Sequence, residues 1–250
     1  MTTHAHESRA TYAARDDGPR ERPWDGIPAR IFLQPIAAPS VLGLYAFMGA
    51  TLIVAAHMAG WYGSKSTPEF LFPFAAMFGG VAQFAAGMWA FKARDVLATA
   101  MHGTWGSFWM AYGILFTLAA TGTVTLPEGK FSGLGFWFIA LAAITAVGAV
   151  AALTESIALF GVLGALTAGS VLAAVAFLTG SSGWETTACW VFVVSAGLAW
   201  YTASAMMLAA TAGKILLPLG TYSRTANVPG RSPTTPIELE YGEPGVKKGQ

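Results

Sequence analysis

Between Pro39 and Ala210 every Asp, Glu, Lys and Arg stands at or near the end of an apolar stretch. Each stretch is close to the roughly 20 residues a helix needs to cross a bilayer. A chain so arranged has few folds open to it. In hydrocarbon each backbone N–H and C=O must be bonded within the protein, which leaves helices or a closed barrel. The alternation that marks barrel strands is absent. The pattern predicts an all-α membrane protein with six transmembrane helices, at about Pro39–Gly60, Pro68–Phe91, Asp95–Thr121, Phe131–Leu153, Glu155–Thr179 and Thr186–Ala210. Only Ala152-Leu153-Thr154-Glu155-Ser156 interrupts the run between the fourth and fifth spans, so a tight turn is expected at Thr154–Glu155. Charged residues make up 11% of the chain, against roughly 25% in soluble domains, which agrees with a protein that lives in lipid.

Three regions follow. Residues 1–38 are polar and read as a cytoplasmic tail; with no apolar core near the N-terminus, a cleaved signal peptide is not expected. Residues 39–210 form the transmembrane domain. Residues 211–250 hold Pro229, Pro233, Pro236 and Pro244 among scattered Ser, Thr and Gly, and read as a disordered cytoplasmic tail. Arg20, Arg22 and Arg30 precede the first span, Lys92 and Arg94 lie between the second and third, and Lys214 and Arg224 follow the sixth. The other side has only Lys65 and Lys130. The positive-inside rule then puts both termini of a multi-pass protein in the cytoplasm.

The most informative stretch is the hairpin from Phe78 to Trp109. Lys92, Arg94 and Asp95 make a polar turn between two apolar helices. Before the turn, Gly79, Gly80, Ala82, Ala86 and Gly87 offer small side chains that let helix backbones approach closely. After it, Trp105, Phe108, Trp109 and Tyr112 fall at i, i+3, i+4 and i+7, one aromatic stripe that suits either lipid or a bundle core. Gly161, Ala165 and Gly169 repeat every four residues in the fifth span, a further seam for helix association.

The chemistry within the spans is mild. With carboxylates only at span ends, a buried carboxylate relay is not expected. Thr104, Ser107 and Thr167 are among the hydroxyls, most of which are expected to bond the preceding turn. Gln83 needs several partners and suits either interhelical bonding or a pore lining. His102 suits either a pore or helix packing. His57 and His102 lie on different spans without a companion pair, which argues against a bis-histidine haem. No nucleophile–base motif, phosphate loop or metal pattern is present, so neither an enzyme nor a bound cofactor is expected. Cys189 reads as a small buried hydrophobe. The net charge of +1 gives no argument for nucleic acid.

Leu42-Gly43-Leu44-Tyr45-Ala46-Phe47, Phe78-Gly79-Gly80-Val81-Ala82-Gln83-Phe84-Ala85-Ala86-Gly87-Met88-Trp89 and Gly103-Thr104-Trp105-Gly106-Ser107-Phe108-Trp109 together resemble the acetate uptake transporter family, the YaaH/SatP-like proteins. Ala199-Trp200-Tyr201 and Leu217-Pro218-Leu219-Gly220 fit as well, so the likeness runs over roughly 38–222. It implies a six-helix protein of the cell's inner (plasma) membrane, the protomer of a homo-hexameric ring, each protomer with its own narrow path for acetate and, in some members, succinate. It also implies a central apolar constriction at Phe47, Trp105 and Leu166, where the family has Phe, Tyr and Leu. Gln83, His102, Thr104, Ser107, Thr167 and Tyr201 are the substrate-path candidates. The family's Asn-Pro-Ala-Pro-Leu-Gly-Leu motif stands here as Ala38-Pro39-Ser40-Val41-Leu42-Gly43-Leu44, and a Glu that commonly ends helix two is Ala90. The resemblance is therefore to a divergent member.

No fixed positive charge in the spans can pair with a bare carboxylate. Stripping its water costs several kcal/mol, and protonating it at pH 7 costs roughly 3–4 kcal/mol if it titrates like a Glu side chain. Passage of a small monocarboxylate with a proton, or passive channel-like passage, follows as the first reading. A channel for a small neutral solute such as urea or a short amide, and a non-transporting ring that scaffolds another protein, are the alternatives.

Overall fold

A computed structural model describes residues 36–221. The cytoplasmic placement and disorder expected of the two tails fall on 1–35 and 222–250, outside the described residues. Six long helices follow one another: α1 Pro39–Met58, α2 Thr67–Ala93, α3 Val96–Ala120, α4 Ser132–Ala152, α5 Ile157–Thr179 and α6 Ser182–Ala212. All but α3 are both long and apolar enough to cross a membrane. The α3 helix is 25 residues long, and its Gly, His, Trp and Tyr residues keep its hydropathy below that of the others.

Each boundary has a local cause. Pro39 opens α1, where a missing N–H costs nothing. Arg94 takes a left-handed conformation (φ 57°) that ends α2. The next residue, Asp95, then caps α3 by accepting from the Ala98 N–H at 2.8 Å. Ser156 caps α5 in the same way through the Leu159 N–H. The turn expected at Thr154–Glu155 lies between α4 and α5. Ser181 caps α6 and starts it four residues earlier than the sequence suggested.

Within α2, Ala75–Ala82 is π-helical. Pro73 stands just before it and lacks the N–H that an α-helical ladder would use. The wider winding that follows brings Gly79 against Ala50 and Trp109, and Gly80 against Met110.

Consecutive helices pack in order and α6 returns against α1, closing the bundle. The α2–α3 seam is a backbone-to-backbone approach. A Cβ on Gly87 would stand 2.7 Å from the Gly103 nitrogen, and one on Gly106 2.5 Å from the Phe84 nitrogen. Any side chain at either position would hold the two helices apart. The aromatic stripe of α3 faces the core: Trp105, Phe108, Trp109 and Tyr112 are all buried. On α5 the seam is used inside the bundle, since Gly169 faces the Phe192 ring and Gly161 faces Leu198.

The antiparallel arrangement gives the bundle two ends. The near end carries the start of α1, the turns at 94–95 and 153–156, and the end of α6; the far end carries the other three connections. Beyond α6, residues 217–221 fold back over the near end. Gly220 and Leu219 carbonyls accept from the Ile157 and Ala158 N–H groups at the start of α5. The Tyr201 hydroxyl donates to the Pro218 carbonyl at 2.7 Å.

Candidate functional site

Two cavities, each of about 50 Å³, lie along the bundle interior. Each has room for a few water molecules. The near cavity includes Leu44, Met101 and Leu163 in its wall, and the far cavity includes Thr51, Trp105, Phe108 and Leu166. Helix geometry locates what separates them. Phe47 falls between Leu44 and Thr51 on α1, Trp105 one turn beyond Met101 on α3, and Leu166 just under one turn beyond Leu163 on α5. All three are at most 2% exposed, and Trp105 and Leu166 stand in the wall of the far cavity.

Side-chain geometry there is well defined. The Phe47 and Trp105 rings meet edge to face, 6.2 Å apart. The Trp105 indole N–H donates to the Thr145 hydroxyl of α4 at 3.0 Å, and that hydroxyl donates in turn to the Leu141 carbonyl. The one polar atom of Trp105 is thereby held by α4, and the ring offers the axis hydrocarbon. Above it, Phe108 contacts Phe138, which stacks on Phe177 at 5.6 Å, so the far cavity is walled largely by aromatic rings.

Buried polar atoms without a protein partner are few and therefore informative. Among the described residues they are Thr51 Oγ1, Gln83 Oε1, His102 Nδ1 and Trp109 Nε1. Thr51 and Trp109 line the far cavity and His102 the near one. A solute with acceptors and donors could pair with them. Gln83 is buried on α2 just past the π segment and lines neither cavity.

The remaining candidates lie elsewhere. Ser107 is exposed and donates to the Gly103 carbonyl, and Thr167 donates to the Leu163 carbonyl. Thr104 and Tyr201 line neither cavity, and the Tyr201 hydroxyl is engaged with Pro218. His102 packs over Gly43 of α1, where a Cβ would stand 2.5 Å from the imidazole ring.

Charged residues at the cavity mouths were the part that sequence reasoning passed over. Glu185 lines the far cavity, and Asp95 and Glu155 line the near one. Burial first, and then the charge on Asp95, pushes the Glu155 carboxyl up to about 7. The sequence marked Glu155 only as a break in an apolar run; the sign was a lone carboxylate in a short turn between two long apolar spans. Among the described residues no three of His, Cys, Asp and Glu stand close enough together to hold a metal ion.

A closed six-helix bundle with internal cavities walled mostly by apolar side chains has the architecture of a membrane channel or transporter. The chain belongs to the GPR1/FUN34/yaaH family, whose pattern matches residues 27–221. It is 25% identical over 187 residues to the succinate-acetate/proton symporter SatP of Escherichia coli K12, covering 74% of this chain and 96% of that protein. It is 27% identical over 213 residues to the glyoxylate pathway regulator of Yarrowia lipolytica, covering 84% and 70% of the two chains. The fold is that of the bacterial acetate channel SatP, with a TM-score of 0.68 at 23% identity over 74% of this chain and all of the other.

Proposed function

We propose that this protein passes small monocarboxylates, acetate first, across a cell's inner membrane along the axis that joins its two cavities. Phe47, Trp105 and Leu166 form the gate between them, and Thr51, Trp109 and His102 are the polar contacts on either side. The observation that supports the reading is the buried Phe47–Trp105 ring contact beside the far cavity, with Leu166 in that cavity's wall and the indole N–H turned away to Thr145. Apolar constrictions of this kind stop hydrated ions by dewetting, so a carboxylate crosses there small and with its charge neutralised. The E. coli relative's activity with acetate and protons supports the cargo.

The near end faces the cytoplasm in this reading, because Lys92, Arg94 and Lys214 gather there against Lys65 and Lys130 at the far end. The protein works as a homo-hexameric ring, an expectation that rests on the family resemblance. The bundle's glycines do not add to it: most face neighbouring helices of the same protomer, and only a few, such as Gly164 and Gly197, meet open space.

Flux of labelled acetate and labelled urea into proteoliposomes at two pH values tests the cargo. Acetate uptake above that of protein-free vesicles, rising at low pH, is the expected result. Urea uptake that ignores pH would replace this reading with a neutral-solute channel, and movement of neither would leave a scaffold.

A further inference from the structure

The near cavity has a composition that the function above does not account for. Among the described residues its wall carries Asp95 from the α2–α3 turn and Glu155 from the α4–α5 turn, and no Lys or Arg. A carboxylate cargo that uses this cavity must pass both groups. In the same wall His102 is 95% buried, by its 5% exposure, and its Nδ1 has no protein partner. That atom points to a small polar guest in this cavity.

We propose that Glu155, paired with Asp95, is the proton-exchange group through which this protein couples carboxylate passage to proton movement. The proposal rests on the acetate reading above. Asp95 is committed as the α3 cap through the Ala98 N–H, which favours its charged form. Two neighbouring carboxylates do not readily ionise together, so the proton of the pair resides on Glu155. Loaded, Glu155–COOH donates a hydrogen bond to an entering R–COO⁻ and then transfers the proton. R–COOH forms and moves to the apolar level, and Glu155–COO⁻ remains and reloads from water. In the other direction a neutral acid arriving through the gate gives its proton to Glu155–COO⁻. The resulting anion leaves by the open end.

Among the described residues, the titratable groups that share the cavity with Glu155 are Asp95 and His102, both associated with α3; the other helices and the 217–221 segment contribute hydroxyl and apolar groups. Arg94 adjoins Asp95 in the chain. With the Glu155 carboxyl titrating near 7, its loaded fraction falls about tenfold between pH 6 and pH 8.

The test is tracer exchange of labelled acetate in proteoliposomes, with equal acetate and equal pH on both sides and protein-free vesicles subtracted. In the wild type, exchange should plateau below about pH 7 and fall about tenfold from pH 6 to pH 8. In Glu155→Gln the cargo must take its proton from water unaided. The plateau should then vanish, and exchange should fall about a hundredfold over the same range, tracking the neutral acid, which titrates far below it. Asp95→Asn keeps the helix cap, removes the neighbouring charge and should move the plateau edge to lower pH. A plateau that persists unchanged in Glu155→Gln overturns the inference, as does an unshifted edge in Asp95→Asn. Wild-type exchange no faster than in protein-free vesicles would overturn the acetate reading itself, and this inference with it.

Discussion

Trp105 commits its only polar atom to α4 through the Thr145 hydroxyl, and that bond fixes which face of the indole the axis meets. Trp105→Ala removes the bulkiest group of the proposed gate. If the neighbours hold their places, acetate flux is expected to rise several-fold, and succinate, which the intact protein is expected to pass poorly, to enter measurably. If they collapse into the gap, stability falls instead, by about 3–5 kcal/mol for a large aromatic lost from a core. Flux of both solutes measured alongside a thermal melt separates the two, and unchanged rates in a stable protein would remove Trp105 from the gate. Gln83 poses a different question at this scale. Its Oε1 is buried without a partner and away from both cavities. Gln83→Leu keeps the volume and removes the orphaned polar atom, so melting temperature is expected to stay level or rise while flux is retained. A loss of flux in a stable protein would return Gln83 to the pathway.

At the scale of elements, the α2–α3 hairpin is the most tightly specified part of the bundle. Arg94 and Asp95 end one helix and cap the next, and Gly87 and Gly106 let the two backbones touch. Gly106→Ala sets a methyl 2.5 Å from the Phe84 nitrogen, which is backbone and cannot swing aside. Overpacking of this sort costs about 1–3 kcal/mol, so a clear drop in melting temperature in detergent is expected. Gly164→Ala is the matched control: nothing lies within 4 Å of its Cβ, and the gain in helix propensity should leave stability level or higher. Equal melting temperatures for the two variants would show that the seam is looser than its geometry. The small residues of this hairpin were legible in the chain as a close-packing pattern. Its π segment was not, because the consequence of Pro73 depends on how the neighbouring helices hold the ladder after the break.

At the scale of the whole molecule, the six helices close on themselves and leave large apolar side chains such as Phe74, Phe91, Phe136 and Val147 on the outer surface. That surface suits lipid and a neighbouring protomer equally, so assembly is a matter for measurement. Native mass spectrometry from mild detergent is expected to give a hexamer of a 26.1 kDa chain; a monomer alone would remove the ring. Charge placement by itself determined much at this scale. Ionised groups are too costly in hydrocarbon, so their spacing dictated the number of helices, the turns and the two ends of the bundle. Local spacing likewise put the four aromatic residues of α3 on one stripe. Which way that stripe faces is a property of the packed bundle, and the structure turns it inward. Only the tertiary structure could bring Asp95 and Glu155, from two separate turns, into the wall of one cavity beside His102. A carboxylate at a span end looks the same in sequence whether it meets bulk water or a second carboxylate, because its titration is set by neighbours that only the fold brings near.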